Sequence, residues 1–104
     1  MDKMIDLAEQ HILESASRLR HIDEMMAKAR GARLENSAAA QADARLRQLQ
    51  SDRDRLAHEL EGLQRSPRRE GPDFVKRAEG LKGLLGSVGL QLEQLLAAVF
   101  ERQK

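Results

Sequence analysis

The 104-residue sequence has no cysteine, tryptophan, tyrosine or threonine, and holds only two phenylalanines and two prolines. Without cysteine there are no disulfides, thiolate metal sites or cysteine nucleophiles. With three valines, three isoleucines and two aromatics, the chain lacks the β-branched and aromatic faces on which sheets pack, so all-β and α/β folds are excluded. Long hydrophobic runs are missing too. The longest apolar stretch, Leu95 to Phe100, is far too short to cross a bilayer, and the first residues lack the basic-then-apolar order of a secretion signal. A cytoplasmic protein is therefore expected. Neither sign of charge is in excess, 18 Lys and Arg standing against 17 Asp and Glu, which removes the net-charge argument for nucleic acid or anionic membrane.

What is present is helix-forming. Ala, Glu, Lys, Leu and Arg fill 58 positions, a share typical of long helices and coiled coils. The weight of Arg and Ala over Lys suggests a GC-rich bacterial genome. Apolar or small residues recur at alternating spacings of three and four along Ile5, Ala8, Ile12, Ser15, Leu19, Ile22, Met26 and Ala29, an a/d heptad stripe. Asp2 is placed to cap this segment. A second stripe runs Ala39, Ala42, Leu46, Leu49, Arg53, Leu56, Leu60 and Leu63, out of phase with the first by one residue. Between them Gly31 stops a helix, and Asn36 and Ser37 are candidate caps for the next. Pro67, Gly71 and Pro72 enforce a further break before the third stripe of Phe74, Ala78, Leu81, Leu85, Val88, Leu92, Leu95 and Val99. These signals predict one all-α domain over 1–104, with helices at about 3–30, 37–65 and 72–102. Three rods of matched length with short connections fit an antiparallel, coiled-coil-like three-helix bundle. The alternative is a long bent helix running through Gly31, with helix three folded back, in a dimer.

Antiparallel docking of the first two stripes requires facing residue numbers to add to a constant, and 68 places the turn centre at Leu34. Ser15 then meets Arg53, the only polar residues of the two stripes. A polar layer of Ser15, Arg53 and Glu14 is expected, with Asp52 and Asp54 as local carboxylates for the guanidinium. The competing expectation is that Arg53 extends its head into solvent.

Helix three carries Gly80, Gly83, Gly86 and Gly89, each costing roughly 1 kcal/mol relative to Ala in a helix interior. By heptad position they lie off the core seam, as do Leu84, Leu90, Leu96 and Phe100. A helix apolar on more than one face is usually buried on more than one face. Self-association through helix three is thus expected, with Leu84, Gly86, Gly89, Leu90, Leu96 and Phe100 as its interface. A segment that orders only on binding a partner, or an interfacial amphipathic helix, are the other readings of the same residues.

Arg65, Arg68 and Arg69 form the one basic cluster, a candidate contact for phosphate or nucleic acid or simply a solvated loop. No aromatic stands nearby for base stacking. His11 and Glu14, and again His21 and Glu24, are three apart. Their order does not match the Glu-before-His pattern of di-iron bundles, and exposed structural histidines are expected. No phosphate loop, nucleophile elbow or catalytic carboxylate pair is found. The expected function is non-enzymatic, with no catalytic residues, cofactor or metal: a homodimeric protein–protein interaction module of adaptor, scaffold or chaperone-like type. The alternative is a small nucleic-acid-associated regulator using the loop around Arg65–Arg69. The partner's identity and the biological process are not encoded in any motif.

Overall fold

The structure, a computed structural model, describes residues 3–31, 37–66 and 71–102, with side chains for 7–31, 41–66 and 71–98. Three helices fill it: α1 (Lys3–Gly31), α2 (Ser37–Arg65) and α3 (Pro72–Arg102), with no strand among the described residues. The expected boundaries hold to within a residue, and the chain is a three-helix bundle rather than a continuous bent rod. The local reasons are those of the sequence. Gly71 adopts φ +94°, a left-handed conformation that glycine enters without a Cβ clash, and Pro72 supplies the fixed φ of a first helical turn. The Val75 amide donates to the Gly71 carbonyl at 3.3 Å, closing that turn. Asp73 sits in the first turn of α3, while Lys28 and Arg30 sit in the last turn of α1, each at the dipole end that favours its charge. Asp2 and Asn36 lie outside the described residues.

Cross-helix contacts define the topology. Glu14 and Arg18 of α1 meet Lys82 of α3, and His21 meets Glu93, so residue numbers rise together and α1 and α3 run parallel. Asp23 meets Arg53 and Arg30 meets Gln50, so α2 runs antiparallel to α1. Arg45 of α2 meets Gln91 of α3. The resulting up-down-up bundle is elongated, 56 × 20 × 16 Å, and α3 packs more extensively on α1 than on α2.

The stripes become the core. Ala8, Ile12, Ile22, Met26, Leu49, Leu56, Leu60, Leu63, Phe74, Ala78, Leu81, Leu85, Val88 and Leu92 are all buried, with Leu19, Leu46 and Leu95 packed half-buried around them. Flanking positions follow heptad geometry: the e side of α1 (Asp23, Arg30) faces α2, and its g side (His11, Arg18, Met25) faces α3. Met25 is buried with the core although it lies beside the stripe, because α1 is apolar over an arc wider than a and d alone.

The register of α1 on α2 differs from expectation. The pairs Asp23–Arg53 and Arg30–Gln50 add to 76 and 80 instead of 68, so α2 is displaced by about one heptad or slightly more. Apolar seams repeat every seven residues and cannot distinguish such registers; the polar groups on the flanks can. The expected layer of Ser15, Arg53 and Glu14 consequently does not form. Arg53 instead grips Asp23 bidentately, Nε donating to Oδ1 at 2.7 Å and Nη2 to Oδ2 at 3.0 Å, and Nη1 donates to Asp54 Oδ1 at 3.1 Å. Glu14 is paired with Lys82 Nζ at 3.1 Å. Ser15 is wholly buried, and its Oγ has no hydrogen-bond partner.

Candidate interaction surface

The outer surface of α3 differs from those of the other two helices. From Gly83 to Ala98 its sixteen residues include one charged group, Glu93, although a third of the whole chain is charged. Leu84 and Leu90 stand on this stretch 51% and 55% exposed, on either side of exposed Ser87. At 70% exposure Leu13 of α1 projects further, but Gln10, Glu14 and Arg20 surround it in sequence, and isolated apolar residues are ordinary on a surface.

The four glycines of α3 do not share one face. Spaced three apart, they step about 60° around the helix each time, from solvent into the α1 seam. Nothing lies within 4 Å of a Cβ built at Gly80 or Gly83. At Gly86 such an atom would meet Arg18 Nη1 at 2.9 Å, and at Gly89 it would touch Met25 Cε at 3.8 Å and Ile22 Cγ1 at 3.9 Å. The heptad pattern reads all four as lying off the core seam, but Gly86 and Gly89 are half-buried against α1. The missing Cβ of Gly86 has a local use. Across it Arg18 Nη1 donates to the Lys82 carbonyl oxygen at 2.7 Å, adding a charged donor to a carbonyl already inside the helix. Leu96 is likewise half-buried, packed on the core cluster rather than standing free. Phe100 lies in α3, with its side chain outside the described residues.

These glycines floor a groove of about 470 Å³ between α1 and α3. Its apolar part is Ile22, Leu85 and Leu90, and its polar rim is Ser17, Arg18, His21 and Glu93. His21 Nε2 lies 3.9 Å from Glu93 and its Nδ1 4.0 Å from Glu24, contacts that are ionic only when the imidazole is protonated. Among the described residues, no carboxylate lies within ion-pair distance of Arg18. On the other flank of α3, Leu84 borders a second groove with His58, Gly62, Arg77 and Gly80, of about 480 Å³.

Three groups in the flanking ion pairs, Glu14, Asp54 and Arg53, are shifted from their ordinary values. The hydrogen bond from Lys82 holds the Glu14 carboxyl below its usual range, aided by the charge of Lys82 and a bond from Gln10. Asp54 is lowered by hydrogen bonds from Gln50 first and Arg53 second. Arg53 is raised, chiefly by its bond to Asp23.

Two sequence expectations meet different outcomes here. His11 is buried, contrary to the exposed position read for all three histidines, because its g position faces α3; its Nδ1 has no hydrogen-bond partner. Arg65 pairs with Glu61 at 2.6 Å along α2, whereas Arg68 and Arg69 lie outside the described residues. The residues that sequence reasoning missed are Arg18, Asp23, Lys82 and Glu93, all at flanking or outer positions whose partners depend on register, while His21, read as an exposed structural histidine, is exposed beside Glu24 and Glu93. Among the described residues, no three His, Asp or Glu side chains converge as metal ligands, and no helix is long and apolar enough to cross a membrane. Compared with models of known protein families, with curated proteins and with solved structures, the chain matches none.

Proposed function

We propose that the protein is a non-enzymatic protein–protein interaction module, a scaffold or adaptor acting in the cytoplasm, that self-associates through the outer face of α3. The observation that carries this reading is the sixteen-residue stretch from Gly83 to Ala98, with one charge and two half-exposed leucines, on a chain whose other helices present charged outer faces. Water-facing helix surface is ordinarily charged, and an uncharged arc on a highly charged protein is what a covered surface looks like. Gly80 and Gly83 support it further, since helix-weakening residues with open space above them have no packing role within the monomer. Gly86, Gly89 and Leu96 belong mainly to the α1–α3 seam and shape the edge of the surface, while Leu84 and Leu90 form its centre.

The test is sedimentation equilibrium over a hundredfold concentration range. Wild-type protein is expected to be dimeric at the upper end, and a Leu84→Glu, Leu90→Glu double variant monomeric throughout. A wild-type monomer at all concentrations, or a dimer indifferent to both substitutions, removes the reading.

A further inference from the structure

Arg18 and Glu93 line one groove together with the exposed Leu90, and among the described residues neither has an ionic partner beyond the 3.9 Å approach of His21 to Glu93. Resting on the self-association reading above, we infer that this groove is the receptor half of a self-complementary interface, whose occupant is Leu90 and Glu93 of a second copy. In this arrangement two α3 helices cross antiparallel. Leu90 of one copy packs at the mouth of the partner's groove beside Gly89 and against the partner's exposed Leu90, while its Glu93 reaches the partner's Arg18. Both contacts belong to one register, because Leu90 opposite Gly89 places Glu93 opposite Gly86 when the helices run in opposite directions. A two-fold axis then repeats the pair, so each copy donates one leucine and one carboxylate and receives the same.

Charge complementarity selects this occupant. Glu93, the one charged residue from Gly83 to Ala98, and the exposed Arg18, which has no carboxylate within ion-pair distance among the described residues, line the same groove, so a copy turned by 180° presents each to its opposite. Arg18 is also already held in place: its bond to the Lys82 carbonyl uses one of its five N–H donors, and the residue is exposed.

A mixing experiment reads the pairing between molecules directly. Arg18→Glu and Glu93→Arg each place like charges opposite one another at both symmetry-related sites, and each variant alone is expected to dimerise at least about tenfold more weakly than wild type. In an equimolar mixture the heterodimer holds opposite charges at both sites, and its dissociation constant is expected within about threefold of the wild-type value. Sedimentation equilibrium measures the constants, and native mass spectrometry identifies the mixed species by its mass. Circular dichroism confirms that both variants are helical, as expected for substitutions at exposed positions. If wild type dimerises and responds to Leu90→Glu, but the mixture associates no better than either variant, the Arg18–Glu93 pairing is overturned while self-association through α3 stands. A wild-type protein that stays monomeric overturns both.

Discussion

At the residue scale, several side chains sit where isolated physical chemistry would not put them, and each makes a stability prediction. Ser15 is buried with an unsatisfied hydroxyl, a desolvation penalty on the order of 1–3 kcal/mol. Ser15→Ala removes it and is expected to raise the urea midpoint by about 1 kcal/mol of stability; a fall would mean that the hydroxyl finds a partner in solution. Gly62 and Gly80 have open space at the Cβ position and helical backbone, so Gly62→Ala and Gly80→Ala are each expected to stabilise the fold by roughly 1 kcal/mol. Gly71→Ala is expected to do the reverse by about 1 kcal/mol, although it too has open space, because φ +94° is strained for any residue with a Cβ. Chemical denaturation of the three variants at one protein concentration separates the two effects, since only backbone conformation distinguishes Gly71 from the others.

Helix existence, helix limits and the inward faces were legible element by element, because periodicity and the Gly and Pro punctuation are local properties. The α1–α2 register was not, and the reason is visible in Arg53. Its stripe position made it a candidate for a layer with Ser15, but the guanidinium reaches Asp23 when α2 moves by about one heptad, leaving the apolar seam equally filled. A double-mutant cycle on Asp23→Asn and Arg53→Gln is expected to return a coupling of about 0.5–1 kcal/mol, the range for a partly exposed bidentate pair. Zero coupling would place the register choice elsewhere, for instance on Arg30 and Gln50. The same flanks make the bundle acid-sensitive. Glu14 and Asp54 have folded-state pKa values below their ordinary 4.5 and 3.8, so the stability that they contribute is complete above those values and is lost as pH falls through the lower, folded ones. The thermal midpoint is therefore expected to drop as pH falls below about 4.5, and Glu14→Gln should flatten part of that drop. An unchanged acid limb in this variant would show that the Lys82 pair forms only weakly.

At the scale of the whole molecule, a slender bundle of 56 × 20 × 16 Å has little interior for its surface, and in the proposed self-association a second copy covering the α3 face would add to its stability. On that proposal the wild-type thermal midpoint is expected to rise with protein concentration by mass action, and the midpoint of Leu84→Glu, Leu90→Glu to be independent of it. A concentration-independent wild type would argue for a monomer. The sequence by itself determined the fold class, the three helices and the stripe residues of the core other than Arg53, since these follow from composition and from a spacing that each segment carries alone. Tertiary structure decided the rest. Which flank of α1 meets which neighbour, that His11 is buried, that Gly86 and Gly89 lie under α1 while Gly80 and Gly83 face solvent, and that Arg18 and Glu93 share a groove all depend on how three seams are registered. Seams that repeat every seven residues leave that choice to polar groups on the flanks, whose partners are fixed only when the helices are together.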